Sequence, residues 1–261
     1  MSALDPIVLA LPDTDDFSES SPQMQALLGG IASGRPILAV VGASQREELA
    51  ALTQANALPV HAEESLHAWV RTEPSRRVAT AIFQALEARG ITATVLDVGQ
   101  VGPSVHGPTL DATPRSIHAK SVIRALSEHE VTIIPGGCGR TDEGTPAIVG
   151  DGSVLLTALF VADRLAFDLW LVRPDKTAHS AEGPDRSAAE GPEPWFGVGI
   201  DRTQRRAALF ARRHRLSFRL VNAELAQIGT FDPDSPLERL DETQSFLPVN
   251  CPGEACLTRA G

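Results

Sequence analysis

The sequence predicts an α/β fold in which helices pack on a mainly parallel sheet. The chain has 261 residues, of which 43% are hydrophobic, enough to bury the core of one large domain or two small ones. Short apolar runs rich in Val, Ile and Leu alternate along it with amphipathic stretches of helical period. This alternation is typical of strands joined by crossover helices, which makes the strands parallel.

The individual elements follow from the same two periods. Apolar runs with the length and composition of strands lie at residues 6–11, 36–41, 92–96, 131–135, 168–172 and 217–221. Stretches with helical period lie between them at residues 21–33, 45–55, 75–90, 114–128, 153–165 and 203–214. The helix at 75–90 is the best defined, because its apolar residues fall on one face and Gly90 stands where a C-terminal cap belongs.

The composition changes at about residues 175–194, where Pro, Gly, Ser, Ala and Glu dominate and Leu, Ile and Val are absent. We predict a mobile loop there, either an excursion close to a site or disorder without function. Residues 241–261 are similar in character, and their prolines disfavour regular structure. We therefore expect a single domain over residues 1–240, followed by an irregular C-terminal tail.

The charge balance bears on partners and compartment. Asp and Glu number 33 against 23 Lys and Arg, so the formal net charge is -10, and we expect neither nucleic acid nor membrane as a partner. No apolar run reaches the roughly 18 residues of a membrane-spanning helix, and the first residues do not resemble a secretory signal. The 3 cysteines are too few and too unevenly spaced for a disulfide framework. The cytoplasm is the predicted compartment.

Small residues cluster at junctions between predicted strands and helices. The clusters are Gly42, Ala43 and Ser44; Gly136, Gly137 and Gly139; and Gly150, Gly152 and Ser153. Loops at the carboxyl ends of parallel strands line the ligand crevice, and glycine lets backbone N–H groups approach an anion. Each glycine also suits a tight turn, which is the more common use. Three such junctions in one sheet nevertheless predict a shared site for phosphate or another anion.

The standard nucleotide and metal motifs are missing. There is no G-x-x-x-x-G-K-[ST] phosphate loop and no G-x-G-x-x-G fingerprint, and Lys120 is the first lysine in the chain. The histidines are too dispersed for a short metal-ligand pattern, and Cys251 and Cys256 have no further ligands nearby. We predict no metal site, and the residues alone assign neither a catalytic group nor a cofactor.

Several segments nevertheless follow one another in a familiar order. They are GRPILAVVGA at 34–43, TEPS at 72–75, LD at 96–97 with Gln100, IIPGGCG at 133–139 with DEG at 142–144, VGDGSVLLTA at 149–158 and GTFDPDSP at 229–236. In this order they resemble the amino acid kinase superfamily, and within it the catalytic domain of aspartokinase, to about Leu240. The resemblance implies a three-layer αβα sandwich and a homo- or hetero-oligomer.

The departures from the family fall on its chemistry. Where the family has a strand followed by K-F-G-G-[ST]-S, residues 9–15 read LALPDTD, without the Lys and the Gly pair. In the stretch that aligns with L-G-R-G-G-S-D-T-T-A, Asp151 stands at the Arg for the substrate carboxylate and Leu155 at the catalytic-site Asp. The family's nucleotide-holding T-D-V-D-G segment is replaced by LVRPD at 171–175. Positioned cations supply most of the rate of phosphoryl transfer, so these losses imply a degenerate kinase.

We weigh three hypotheses about function. The first is a non-catalytic, small-molecule-binding, regulatory or scaffolding subunit. The second is a divergent kinase or transferase for a small amino acid or carboxylate, with ATP and Mg as cofactors. In it, Glu73, Ser75, Arg76 and Arg77, at the start of the predicted helix 75–90, and Gln100 would hold the substrate. These charges could equally be solvated ones without a role in a site. The third is an unrelated doubly wound domain with a ligand crevice at Gly42, Gly136 and Gly150.

Overall fold

Two sheets and seven helices make up the computed structural model over the residues it describes, which are 6–14, 21–59, 62–150, 153–173 and 202–234. The strands are β1 (Ile7–Thr14), β2 (Ile37–Ala43), β3 (Ala93–Val95), β4 (Ser104–His106), β5 (Thr113–Ser116), β6 (Val131–Pro135), β7 (Cys138–Arg140), β8 (Pro146–Ile148), β9 (Asp168–Val172), β10 (Phe218–Val221) and β11 (Gln227–Phe231). The helices are α1 (Pro22–Ala32), α2 (Gln45–Asn56), α3 (Glu64–Glu87), α4 (Val98–Val101), α5 (Ala119–Glu128), α6 (Val154–Leu165) and α7 (Arg202–Arg213).

The main sheet has 7 strands in the order β11-β10-β9-β1-β2-β6-β3. All neighbours pair in parallel except β10 and β11, which are antiparallel. The kinase resemblance predicts that the chain near Thr230 returns to the end of the main sheet, and β11 does so as the edge strand. The predicted mainly parallel sheet is confirmed.

Helices cover both faces of this sheet. Alternate residues of β1 point to opposite faces, so Val8 and Ala10 belong to one apolar cluster and Ile7, Leu9 and Leu11 to the other. The first cluster includes buried residues of α5, α6 and α7, and the second includes those of α1 and α3. The structure therefore has the predicted three layers.

A second sheet of 4 strands, in the order β5-β4-β7-β8, lies outside the sequence predictions. Its strands have three or four residues, too few to show an alternating pattern. The prediction that a helix begins at residue 114 is wrong, because residues 113–116 form β5 and α5 begins only at Ala119. Pro114 is compatible with β5 because β5 is an edge strand.

The start of the best-defined helix also needs correction. The sequence predicts a helix from Ser75, with Pro74 just before it, but α3 begins at Glu64 and contains Pro74 in its interior. Proline has no N–H, so the helical hydrogen bond to the carbonyl of Val70 is missing there. Good helix formers on both sides, together with packing against β2 and β6, outweigh that loss. The cluster from Glu73 to Arg77 therefore does not lie at a helix N-terminus.

Candidate functional site

The connections of the main sheet diverge at β1. The chain passes from β1 through α1 to β2 on one side, whereas β9 pairs with the other side of β1. Ligands of open α/β sheets bind outside the carboxyl ends of the strands at such a point. Gly42 is the penultimate residue of β2 and Gly136 follows β6, so both predicted turns lie at this edge. We call the region formed by these turns, the start of α6 and the middle of α3 the carboxyl-edge site.

Val154, the first residue of α6, fills the space between the two glycine turns. A Cβ on Gly42 would overlap Val154 Cγ2, and a Cβ on Gly136 would lie 2.9 Å from Val154 Cα and 3.0 Å from its Cγ atoms. Val154 is 6% exposed. The absence of side chains at Gly42 and Gly136 therefore accommodates a valine of this chain.

The backbone donors of these turns already have partners within the protein. The N–H of Gly136 donates to the carbonyl of Val41 at 2.7 Å, and that of Gly137 donates to Thr157 Oγ1 at 3.0 Å. The N–H of Gly150 donates to the carbonyl of Ala112 at 3.0 Å. A phosphate-binding turn works by presenting such donors to the ligand, and here these N–H groups point to protein oxygens.

The other predicted turn residues also have local roles. Ser44 and Ser153 are the N-caps of α2 and α6, and their hydroxyls accept from the N–H groups of Glu47 and Leu156. Ala43 pairs with Thr14, and a Cβ on Gly139 would overlap Val105 Cγ1. Gly150 has a φ of 49°, and a Cβ there would overlap Leu156 Cδ2. Gly152 lies outside the described residues.

The first turn of α6 is apolar. Val154, Leu155 and Leu156 are 6%, 8% and 4% exposed and belong to the core cluster on this face of the sheet. Leu155 occupies the position that aligns with the catalytic-site Asp of the resembled family. A helix N-terminus favours negatively charged groups nearby, but these three side chains are aliphatic and carry no charge. The start of α6 thus contributes packing.

Polar side chains reach the site from α3. Thr72 and Ser75 are buried, at 4% and 6% exposed, and both face the turn that follows β6. Arg76 approaches Cys138 from the same helix, and its Nε is buried without a hydrogen bond to any described residue. Ser75 and Arg76 therefore lie at the carboxyl-edge site, as a substrate-holding role requires.

Cys138 lies beneath these residues and is fully buried. Burial raises the pKa of its thiol to about 11, although the nearby Arg76 guanidinium and Thr72 act in the opposite direction. Its Sγ lies 3.3 Å from the carbonyl oxygen of Gly136. The thiol is therefore neutral at physiological pH and is a packing group rather than a nucleophile.

Glu73, Arg77 and Gln100 have partners elsewhere. Arg77 Nε lies 2.9 Å from Glu73 Oε2, and a second nitrogen of Arg77 lies 3.5 Å from Glu47 of α2. Arg77 is 59% exposed, so these ion pairs lie at the surface. Gln100 accepts from the N–H of Asp97 in the capping box of α4. Each of these side chains has a local structural partner.

A small polar cavity of about 40 Å³ remains between α2, α3 and the turn after β6. Besides Thr72 and Ser75, it is lined by Glu48, Arg71 and Ile148. The sequence predictions missed Glu48 and Arg71, since only the packing of α2 on α3 brings them together. Ligand pockets for drug-sized molecules have volumes of about 300–1,000 Å³, so this cavity is far smaller than a nucleotide.

Two further observations concern the described residues alone. No group of three or more His, Cys, Asp or Glu within them could hold a metal ion. None of the described helices has the length and apolar character needed to cross a membrane.

Comparison with known proteins extends this description. No protein-family model and no curated protein sequence matches the chain. E. coli aspartokinase III in complex with lysine and aspartate has a similar structure, with a TM-score of 0.63 and 14% identity over 85% of this chain. The match covers 63% of that protein, so this chain spans less than two thirds of its length.

Two smaller kinases are similar over nearly their whole length. An isopentenyl phosphate kinase gives a TM-score of 0.54 at 15% identity, covering 84% of this chain and 92% of the kinase. A carbamate kinase from Giardia gives a TM-score of 0.53 at 14% identity, covering 86% of this chain and 95% of the kinase. The chain therefore shares the fold of these kinases, and the hypothesis of an unrelated fold is wrong. At these identities the similarity defines the fold and leaves the activity to be argued from the site.

Proposed function

We propose that this chain is a non-catalytic member of the amino acid kinase fold, a regulatory or scaffolding subunit that binds a small molecule. The observation that carries the proposal is the position of Val154 against both Gly42 and Gly136. In this fold the carboxyl edge of the sheet is where a phosphoryl donor would have to approach. Here an aliphatic side chain fills the space between the two turns.

Two further features support the loss of phosphoryl transfer. The N–H groups of Gly136, Gly137 and Gly150 already donate to protein oxygens, so a phosphate would have to displace those bonds. Residues 9–15, at the end of β1, contain no lysine, whereas the resembled family has one there. The first lysine of the chain, Lys120, is exposed in the first turn of α5. Charge stabilisation worth several kcal/mol is therefore missing from the site.

The small cavity between α2 and α3 is the proposed ligand site. Arg71 and Ser75 can bind an anionic group there, and Glu48 can bind an ammonium group. Its volume of about 40 Å³ suits one small polar group of a ligand whose remainder extends outside. We further propose that the subunit works in a homo- or hetero-oligomer in the cytoplasm.

The test combines calorimetry with an activity assay. The purified protein is titrated with Mg-ATP and with aspartate, and phosphate release is then measured with both present. We expect no phosphate release above the rate without protein. A binding signal for aspartate should weaken in Arg71→Gln and persist in Arg77→Gln, the matched change on the outer side of α3. Aspartate-dependent turnover of ATP would overturn the proposal.

A divergent ATP-dependent kinase or transferase is the second candidate, favoured by the Arg76 guanidinium, which lies near Cys138 and whose Nε is buried without a hydrogen bond to any described residue. It would require ATP and Mg, and substrate contacts from Ser75 and Arg76. The phosphate-release assay distinguishes the two candidates, because only this one predicts turnover that is abolished in Arg76→Gln.

A further inference from the structure

A larger cleft lies at the opposite edge of the main sheet, where the parallel strands begin. It has a volume of about 310 Å³ and lies between the residues preceding β2, the start of β3 and the residues joining α5 to β6. This volume falls at the lower end of the range of about 300–1,000 Å³ that small-molecule pockets have. We call it the amino-edge cleft.

The charged groups that line the amino-edge cleft carry a small excess of negative charge. Glu128 and Glu130 line it, and Arg35 lines it from the other side. Arg35 lies 3.6 Å from Asp168, and Arg124 lies 2.9 Å from Glu128. These three carboxylates outnumber the two guanidinium groups.

Two helices also end at the cleft. Ile31, in the last turn of α1, and Ser127 and Glu128, in the last turn of α5, are among its lining residues. The C-terminal end of a helix carries a partial negative charge of about half a unit. Both helix ends therefore add to the negative potential of the carboxylates.

The residues that join α5 to β6 present several hydrogen-bond acceptors on one side of the cleft, opposite the Arg35 guanidinium. His129 Nδ1 lies 3.0 Å from the carbonyl oxygen of Ala125. A carbonyl oxygen only accepts, so Nδ1 donates and Nε2 of the neutral ring is an acceptor. Glu130 uses Oε2 to accept from the N–H and the hydroxyl of Thr92, and its Oε1 has no hydrogen bond to any described residue.

We propose that the amino-edge cleft binds a small organic cation that carries a primary ammonium group. An ammonium offers three donors and one positive charge, which match the acceptors of Glu128, His129 and Glu130. The cleft is open on one side, so a ligand longer than the cavity can extend into solvent. The site is separate from the carboxyl-edge site, and the proposal does not depend on the function proposed above.

Putrescine is a suitable probe because it is small and carries two primary ammonium groups. Isothermal titration at constant ionic strength should give saturable binding to the full chain, whereas succinate, an anion of similar length, should give none. Glu128→Gln and Glu130→Gln should each weaken putrescine binding by about tenfold, the effect of one charge-assisted hydrogen bond. Glu143→Gln removes an equal charge from the turn between β7 and β8 and should leave the affinity unchanged.

Three results would overturn the proposal: no saturable binding of putrescine, unchanged affinity in Glu128→Gln, or an equal loss in Glu143→Gln. Circular dichroism reports whether each variant is folded. Among the described residues Glu128 makes only an exposed ion pair with Arg124, so Glu128→Gln should remain folded even if the bond between Glu130 and Thr92 proves necessary for β3.

Discussion

The two edges of the main sheet differ in what their loops do. At the carboxyl edge, Val154 packs against two glycine turns and the turn N–H groups donate to protein oxygens. At the amino edge, the segments that precede β2 and β6 leave a cleft lined by charged side chains. A parallel sheet normally binds ligands at its carboxyl edge. In this chain Val154 fills the space between two turns of that edge and a cavity of about 40 Å³ remains beside them, whereas the larger of the two cavities described, of about 310 Å³, lies at the other end of the strands.

This difference shows that a fold can be retained while its usual binding edge is filled. An interior is close-packed, so one added side chain can remove the space for a ligand without disturbing the layers. Val154 does this at the cost of requiring glycine at two positions. The following predictions test how firmly the carboxyl edge is packed relative to the rest of the molecule.

The largest effect should come from adding a methyl group at the carboxyl edge. Gly42→Ala places a Cβ against Val154 and should lower the free energy of unfolding by about 3 kcal/mol, the upper part of the range for overpacking. Urea denaturation followed by circular dichroism measures this change. Gly29→Ala in α1 is the control, since its Cβ would be 3.4 Å from Leu225 and alanine favours a helix. Equal stability of Gly42→Ala and wild type would contradict the packing at Val154.

A buried and an exposed hydrogen bond allow a direct comparison of the two edges. Thr157→Val removes the acceptor of the Gly137 N–H, which is buried, and should cost about 2 kcal/mol. Thr92→Val removes the two exposed hydrogen bonds that the Thr92 hydroxyl makes with the carboxylate and the N–H of Glu130 at the amino edge, and should cost about 0.5 kcal/mol. Denaturation of both variants under the same conditions measures the difference. If Thr92→Val were the more costly change, the carboxyl edge would not be the better packed one.

Alkaline pH should weaken the carboxyl edge through Cys138. Its pKa is raised from 9.0 in the unfolded chain to about 11 in the folded one, so the folded state holds the proton longer. The stability of the protein therefore falls as pH rises from about 9 to 11, by about 2 kcal/mol at pH 10.5. Cys138→Ala lacks this contribution, and the difference between the two proteins at pH 8 and 10.5 isolates it. A constant difference would show that the thiol is accessible to water.

The smallest effect is expected on the outer side of α3. Arg77→Ala removes two exposed ion pairs and should change the free energy of unfolding by no more than about 0.5 kcal/mol. Raising the salt concentration should reduce even that difference, because exposed charges are screened. Thermal denaturation at low and high salt provides the measurement. A loss above about 2 kcal/mol would mean that the surface pairs are coupled to the buried site.

Much of the main sheet could be predicted because its signals are local. The apolar runs of β6 and β9 have the bounds that the sequence predicts, and α2 begins where predicted, at Gln45. The small sheet was missed because its strands have three or four residues and are defined by pairing between distant segments. Pro74 misled the prediction of α3, since a proline at a helix start and one inside a helix have the same local sequence. The predicted loop at 175–194 and the tail at 241–261 lie outside the described residues.

The site was less predictable than the fold. Its glycines were found, but a glycine required by a neighbouring side chain and one required by a ligand look alike in a sequence. The residue that separates the two cases is Val154, and its contact with Gly42 comes only from packing α6 on the sheet. Glu48 and Arg71 were missed for the same reason, because their shared cavity depends on how α2 and α3 meet.

The contact of Val154 with Gly42 and Gly136 also limits the order in which substitutions can accumulate at these positions during evolution. Replacing either glycine first creates a steric clash, so such a lineage loses stability before it gains anything. A change to a smaller residue at position 154 would have to precede a change at position 42, whereas a Cβ at position 136 would still lie 2.9 Å from the Cα of residue 154. Positions 154 and 42 should consequently change together, and in that order, in descendants of this chain, while position 136 should remain glycine.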